Sequence, residues 1–167
     1  RVLTEIWDPN PLNFKAESEK FSKKKPLYLE ILKLALQSPE TAVVAASSIE
    51  EWALQDLRPD LVKFLRDDLQ SSQAQFSPAY APALRAVCAD NMGGYSEDLE
   101  DIYLAMLDSS PDIQGIEVNK LAAVALGEIK TTNPEALKAL IRGLFIVSKD
   151  GGTVFKESLH SLLSIGP

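Results

Sequence analysis

Five acidic residues crowd into twelve positions of the chain: Glu97, Asp98, Glu100, Asp101 and Asp108. Carboxylates at short range can do general acid/base work, bind calcium, or recognise a basic partner. Calcium needs oxygen ligands converging from a loop, and acid/base work needs an enclosed pocket that perturbs a carboxylate. Acids at helical spacing supply neither. At about 100° per residue, Leu99, Ile102, Tyr103 and Met106 make one buried stripe, and Glu97, Asp101 and Asp108 project opposite to it. That strip is the candidate protein-binding site, with Asp98 and Glu100 flanking it and adding field rather than contacts. A merely solvated face is the plain alternative.

The other reactive side chains are few. Cys88 is the single cysteine, so no internal disulfide forms. It lies beside Val87 with no histidine or basic cluster near it in sequence, which makes it a small core thiol rather than a nucleophile. His160, the single histidine, cannot alone build a histidine-based zinc site. It points away from the stripe of Val154, Leu162 and Ile165, toward the surface. Gly93-Gly94-Tyr95 and Asp150-Gly151-Gly152 could bind anions, but glycine at helix ends serves first to take left-handed backbone geometry. Lys23-Lys24-Lys25 suits a solvated linker or helix end better than a basic patch. There is no Gly-rich phosphate loop, Gly-x-Ser-x-Gly elbow, Cys-x-x-Cys or His-Glu-x-x-His. No enzyme activity, metal or cofactor is expected.

Length and composition set the frame in which these residues are held. The 167 residues, 46% hydrophobic and 25% charged, suit one globular domain with its own core. A net charge of -7, from 17 basic and 24 acidic residues, argues against a general affinity for nucleic acid or anionic membrane and favours a basic partner. Residues 78–115 carry Arg85 against seven acids, a net of -6, whereas residues 1–25 come to +2 and residues 116–167 to +1. The ends could therefore attract the middle of another copy. No apolar run approaches the roughly 18 to 20 residues that span a bilayer, so no membrane insertion is expected. A start at Arg1 rather than Met suggests a processed or excised piece. The compartment stays open, with the cytoplasm slightly favoured.

Residues 1–25, with the turn-forming Asp8-Pro9-Asn10-Pro11 and a polar stretch to Lys25, read as an N-terminal arm that Trp7 pins to the body. Residues 26–167 read as a single all-α domain. Apolar residues recur there at spacings of three and four, with no sustained alternation. Ser38-Pro39-Glu40, Ser77-Pro78, Ser96-Glu97 and Asn133-Pro134-Glu135 signal helix starts, and Gly93-Gly94 and Gly151-Gly152 signal stops. The expected helices span 27–37, 40–54, 58–70, 78–91, 96–108, 116–130, 134–148 and 152–165.

These helices repeat in pairs. Ala45, Ala46 and Ile49 align with Ala83, Leu84 and Val87 at an offset of 38, and with Ala122, Ala123 and Leu126 at a further 39. Val118, Lys120, Leu126 and Ile129 map onto Val154, Lys156, Leu162 and Ile165 at 36. Among the second helices, Leu61, Phe64, Leu65 and Leu69 map onto Leu99, Ile102, Tyr103 and Leu107 at 38, then onto Leu137, Leu140, Ile141 and Phe145 at another 38. This register places Trp52 in the core, where Ile129 sits in the third unit. One helix pair cannot bury its apolar stripes alone, so such a period means stacked neighbours and a curved solenoid.

The Ala-Ala-x-Ala-Leu-Gly-x-Ile core of residues 122–129, followed by the helix from Pro134, resembles the HEAT-repeat family. The resemblance covers about 140 residues and departs from the pattern at Leu163, where glycine is expected. It implies a right-handed α-α superhelix (HEAT/armadillo-like solenoid) of about four helix pairs. Small residues would let its helices approach closely, and Gly127 would ease the turn at its helix end. In such solenoids the second helices line the concave surface, which would place Glu97, Asp101 and Asp108 in a groove. The implied function is a non-catalytic protein-protein interaction or scaffold module for a partner with a basic segment. Two alternatives come with the family. Some members resemble bilin lyases of phycobilisomes, which would make the chain a chromophore transferase or chaperone. Others resemble DNA-binding repair glycosylases, whose groove is basic, against the acidic charge here.

Overall fold

The computed structural model describes residues 14–71, 80–111 and 115–166. Among them the chain forms eight α-helices: α1 (Phe14–Leu36), α2 (Pro39–Trp52), α3 (Arg58–Ser71), α4 (Tyr80–Cys88), α5 (Glu100–Asp108), α6 (Ile116–Glu128), α7 (Pro134–Gly143) and α8 (Phe155–Ile165). The described residues contain no strand, only an isolated antiparallel bridge between Val147 and Thr153. The chain is all-α, as its periodicity requires.

Boundaries differ from expectation where glycine, proline and short turns intervene. The first helix starts at Phe14 and passes through Pro26, so the expected arm boundary at Lys25 lies inside α1. Proline cost that helix one backbone donor and did not end it. Residues 1–13, with Trp7, lie outside the described residues, as does Ser77-Pro78. A 3-10 turn, Asp90–Met92, follows α4, and Gly93 and Gly94 then take positive φ of 110° and 65°. Another 3-10 turn, Glu97–Leu99, leads into α5, so the single helix expected over 96–108 is broken before Glu100. The seventh helix stops at Gly143 rather than at 148. Beyond it the chain reverses at Gly151, with φ of 85°, and Ser148 N–H donates to the Gly152 carbonyl at 2.8 Å.

Capping follows the sequence at one site in particular. Asn133 Oδ1 accepts the Glu135 N–H at 3.0 Å ahead of Pro134. Ser38 precedes Pro39 without a side-chain cap, and the Ser96 hydroxyl goes to the Asp98 carboxylate instead.

Packing joins every helix to its second neighbour and links chain neighbours mainly at alternate junctions, while α2–α3 and α4–α5 touch little. Helix α2 packs on α4, α4 on α6 and α6 on α8; α1 touches α3, α3 touches α5 and α5 packs on α7. Between these two files run the contacts α1–α2, α3–α4, α5–α6 and α7–α8. One hydrophobic cluster extends from Leu32 to Val154. The nine first-helix positions aligned at 38 and 39 are fully buried: Ala45, Ala46, Ile49, Ala83, Leu84, Val87, Ala122, Ala123 and Leu126. Of those aligned at 36, Val118 and Val154 are buried too, Ile129, Leu162 and Ile165 only partly, and Lys156 is exposed. Leu61, Leu65, Leu99, Ile102, Tyr103, Leu107 and Leu140 are buried as well, but Ile141 and Phe145 break the register by lying exposed. Trp52 packs at the edge of the core, edge-to-face with Tyr28 at 5.9 Å.

Close approach explains the glycines of α6 and α7. A Cβ at Gly127 would lie 2.6 Å from Ser161 Cβ and 2.8 Å from its Cα, so α8 sits where any side chain would stand. Gly127 therefore admits a neighbouring helix; it lies within α6 and does not serve as a turn. Gly143 likewise admits the Ser158 hydroxyl of α8.

Candidate protein-binding surface

The acidic residues lie where α5 begins and along its outer side. Glu97 and Asp98 stand on the 3-10 turn, Asp101 and Asp108 two turns apart on α5, all exposed; Glu100 is half-buried. Because the 3-10 turn interrupts the helix, the 100° spacing carries from Asp101 to Asp108 and does not extend back to Glu97.

Two of these carboxylates, Asp101 and Asp108, have partners on neighbouring helices, and the Asp98 carboxylate accepts from the Ser96 hydroxyl beside it. Arg66 of α3 lies 3.7 Å from Asp101 and donates to the Asp98 carbonyl. Arg142 of α7 grips Asp108 bidentately at 2.8 and 2.7 Å. Glu100 accepts from Thr131 and, at 3.4 Å, from Asn133 Nδ2, tying the start of α5 to the α6–α7 loop. The Glu97 carboxylate makes no hydrogen bond or ion pair among the described residues. The strip is thus part of a wider set of ties between second-neighbour helices. Arg85 of α4 holds Glu50 of α2 at 2.7 and 3.1 Å, and Lys33 of α1 lies 3.9 Å from Asp60 of α3.

Sequence reasoning found the acids but missed these arginines, because each pair joins residues about 35 positions apart. It also missed Asn119. This fully buried side chain fans its Nδ2 across the carbonyls of Met106 (2.8 Å), Leu107 (3.2 Å) and Ser109 (2.9 Å), satisfying the C-terminal end of α5. An amide on the stripe it shares with Ala122, Ala123 and Leu126 was the available signal.

Cys88 and His160 sit as their sequence context requires. The Cys88 thiol is 6% exposed and donates to the Tyr103 hydroxyl at 3.8 Å. Burial pushes it up to about 11, against smaller opposing effects of Tyr103 and the Arg58 charge. Burial also raises Tyr103, helped by Cys88. A thiol so disposed is protonated at neutral pH. His160 is exposed on α8. The glycine turns have little left for an anion, since the N–H groups of Gly93, Gly94 and Gly151 donate to Asp90, Ala89 and Ser148 carbonyls.

No group of three or more His, Cys, Asp or Glu side chains is arranged to hold a metal among the described residues. No helix among them is long and apolar enough to cross a membrane. The chain matches no family model, no curated protein and no solved structure.

Proposed function

We propose that the chain is a HEAT-like α-solenoid, a right-handed superhelix of about four helix pairs, acting as a non-catalytic protein-binding or scaffold module. Its acidic edge at the start of α5 takes a basic segment of the partner. The 36- to 39-residue period, the second-neighbour packing and the small residues at helix crossings support the architecture. One observation carries the binding reading: the free Glu97 stands beside exposed Asp98 on a turn whose backbone Arg66 pins from α3.

Preorganised carboxylates on a fixed turn favour fast, charge-steered association. Asp101 and Asp108 take part differently. Exposed ion pairs contribute only about 0 to 1 kcal/mol, so a partner's lysine or arginine can exchange with Arg66 at small cost. Asp108, gripped by two nitrogens of Arg142, serves the α5–α7 contact first.

Affinity capture with the chain as bait tests this. Glu97→Lys with Asp98→Lys is compared with Glu40→Lys and Glu51→Lys, which reverse the same charge on α2. Basic proteins held by the parent and by the α2 variant should fall at least tenfold on the Glu97/Asp98 variant at moderate salt. Equal loss on both variants would reduce the effect to net charge, and retention on both would place the interface elsewhere.

A further inference from the structure

Ten large hydrophobic side chains are exposed among the described residues, and all lie either at or before Val44 or at or after Ile141. Among the described residues, the middle of the chain has none. On α1 the stripe is Leu27, Ile31 and Leu34, 64%, 38% and 64% exposed, spaced to share one side of the helix. At the other end, Phe155, Leu159 and Leu163 run along the outside of α8, and Ile141 and Phe145 project from α7 and the turn after it.

The repeat register says what this second face corresponds to. An offset of 36 places Leu159 and Leu163 on Ala123 and Gly127, the α6 positions against which Ser161 of α8 packs: the Ser161 hydroxyl donates to the Ala123 carbonyl at 2.8 Å. An offset of 38 places Phe145 on Leu107, which α7 covers at Gly143. In α6 and α5 these positions receive the next helix pair. In α8 and α7 they are apolar and bare. Helix α8 even turns Ser158 and Ser161 inward and Phe155, Leu159 and Leu163 outward.

We propose that a second copy of the chain stacks here head-to-tail, its α1 stripe of Leu27, Ile31 and Leu34 seated on the Phe145–Leu159–Leu163 face. The inference rests on the helix packing and not on the acidic edge. Exposed side chains of about 200 Å² each give on the order of 700 Å² on the α7–α8 face and about 400 Å² on the α1–α2 face, counting Val44 and Val147. Their sum, about 1,100 Å², falls at the small end of specific interfaces, so the association is concentration-dependent. The two faces differ, so the contact is heterologous and leaves a free face at each end of any assembly that does not close into a ring. Apolar burial drives it, and salt does not weaken it.

Sedimentation velocity on two variants and their mixture tests the proposal, with circular dichroism confirming that both fold. Phe145→Glu with Leu163→Glu blocks one face, and Leu27→Glu with Leu34→Glu blocks the other. The parent should form dimers and larger species as concentration rises, equally at 0.1 and about 0.5 M salt. Each variant alone should stay monomeric, and an equimolar mixture should give a dimer that grows no further. A parent that is monomeric at every concentration overturns the proposal. So does a Leu27/Leu34 variant that dimerises by itself, which would mean like faces pair. Association lost at high salt would point instead to basic ends meeting the acidic middle.

Discussion

At the scale of single residues, polar groups in this chain are used mainly to hold helix ends and helix pairs. Asn119 closes three carbonyls at the end of α5, and Arg142 and Arg66 draw two of the acidic residues into contacts between helices. The acids were legible because they cluster in sequence; their partners were not, because the pairing depends on packing across a whole repeat. Cys88 gives a pH-dependent signature. Its folded-state thiol titrates at about 11 against an ordinary value near 9, so the neutral form favours folding. The corresponding stability is complete below about pH 9 and is lost as pH rises toward 11, with Tyr103 adding in the same direction. Urea denaturation at pH 8 and 11 should show a fall of about 2 to 3 kcal/mol from Cys88, and Cys88→Ala should fall by that much less. Equal falls in the two proteins would mean that the thiol is not held neutral by its burial.

Between elements, the contact of α8 with α6 and α7 depends on the absence of side chains. Small residues at these crossings were expected from the sequence, and all the alanine positions of the first helices are buried as predicted. The partner serines were not foreseen, since burying Ser158 and Ser161 while Phe155, Leu159 and Leu163 lie exposed runs against the usual pattern of an amphipathic helix. Ser158 Oγ is buried without a hydrogen-bond partner and lies where a Cβ on Gly143 would stand. Gly143→Ala should therefore destabilise by about 1 to 3 kcal/mol, and Ser158→Ala alone should be neutral or stabilising by up to about 1 kcal/mol. Combined, the two should recover most of the loss, because the remaining contacts at 3.3 and 3.5 Å are near ordinary packing distances. Additive effects in thermal denaturation would show that the hydroxyl is not the obstacle.

For the whole molecule, the period of the sequence revealed the two files of helices and most of the core, while helix ends escaped it wherever a 3-10 turn or a short hairpin replaced a helical turn. Residues 97–99 and 144–154 are the clearest cases: their apolar spacing continues a helix that local glycine and turn geometry have ended. Both the binding reading and the stacking of copies rest on one continuous stack, in which each helix pair is stabilised by the next. Such a stack transmits a local loss along its length. The decisive measurement follows Trp52 of α2 during urea unfolding, in a Trp7→Phe background, after Gly127→Ala is introduced at the α6–α8 contact. Tryptophan fluorescence and far-ultraviolet circular dichroism should then shift together, to one lower midpoint reflecting a loss of about 1 to 3 kcal/mol. A Trp52 transition that stays in place while the circular dichroism splits into two steps would contradict the single stack.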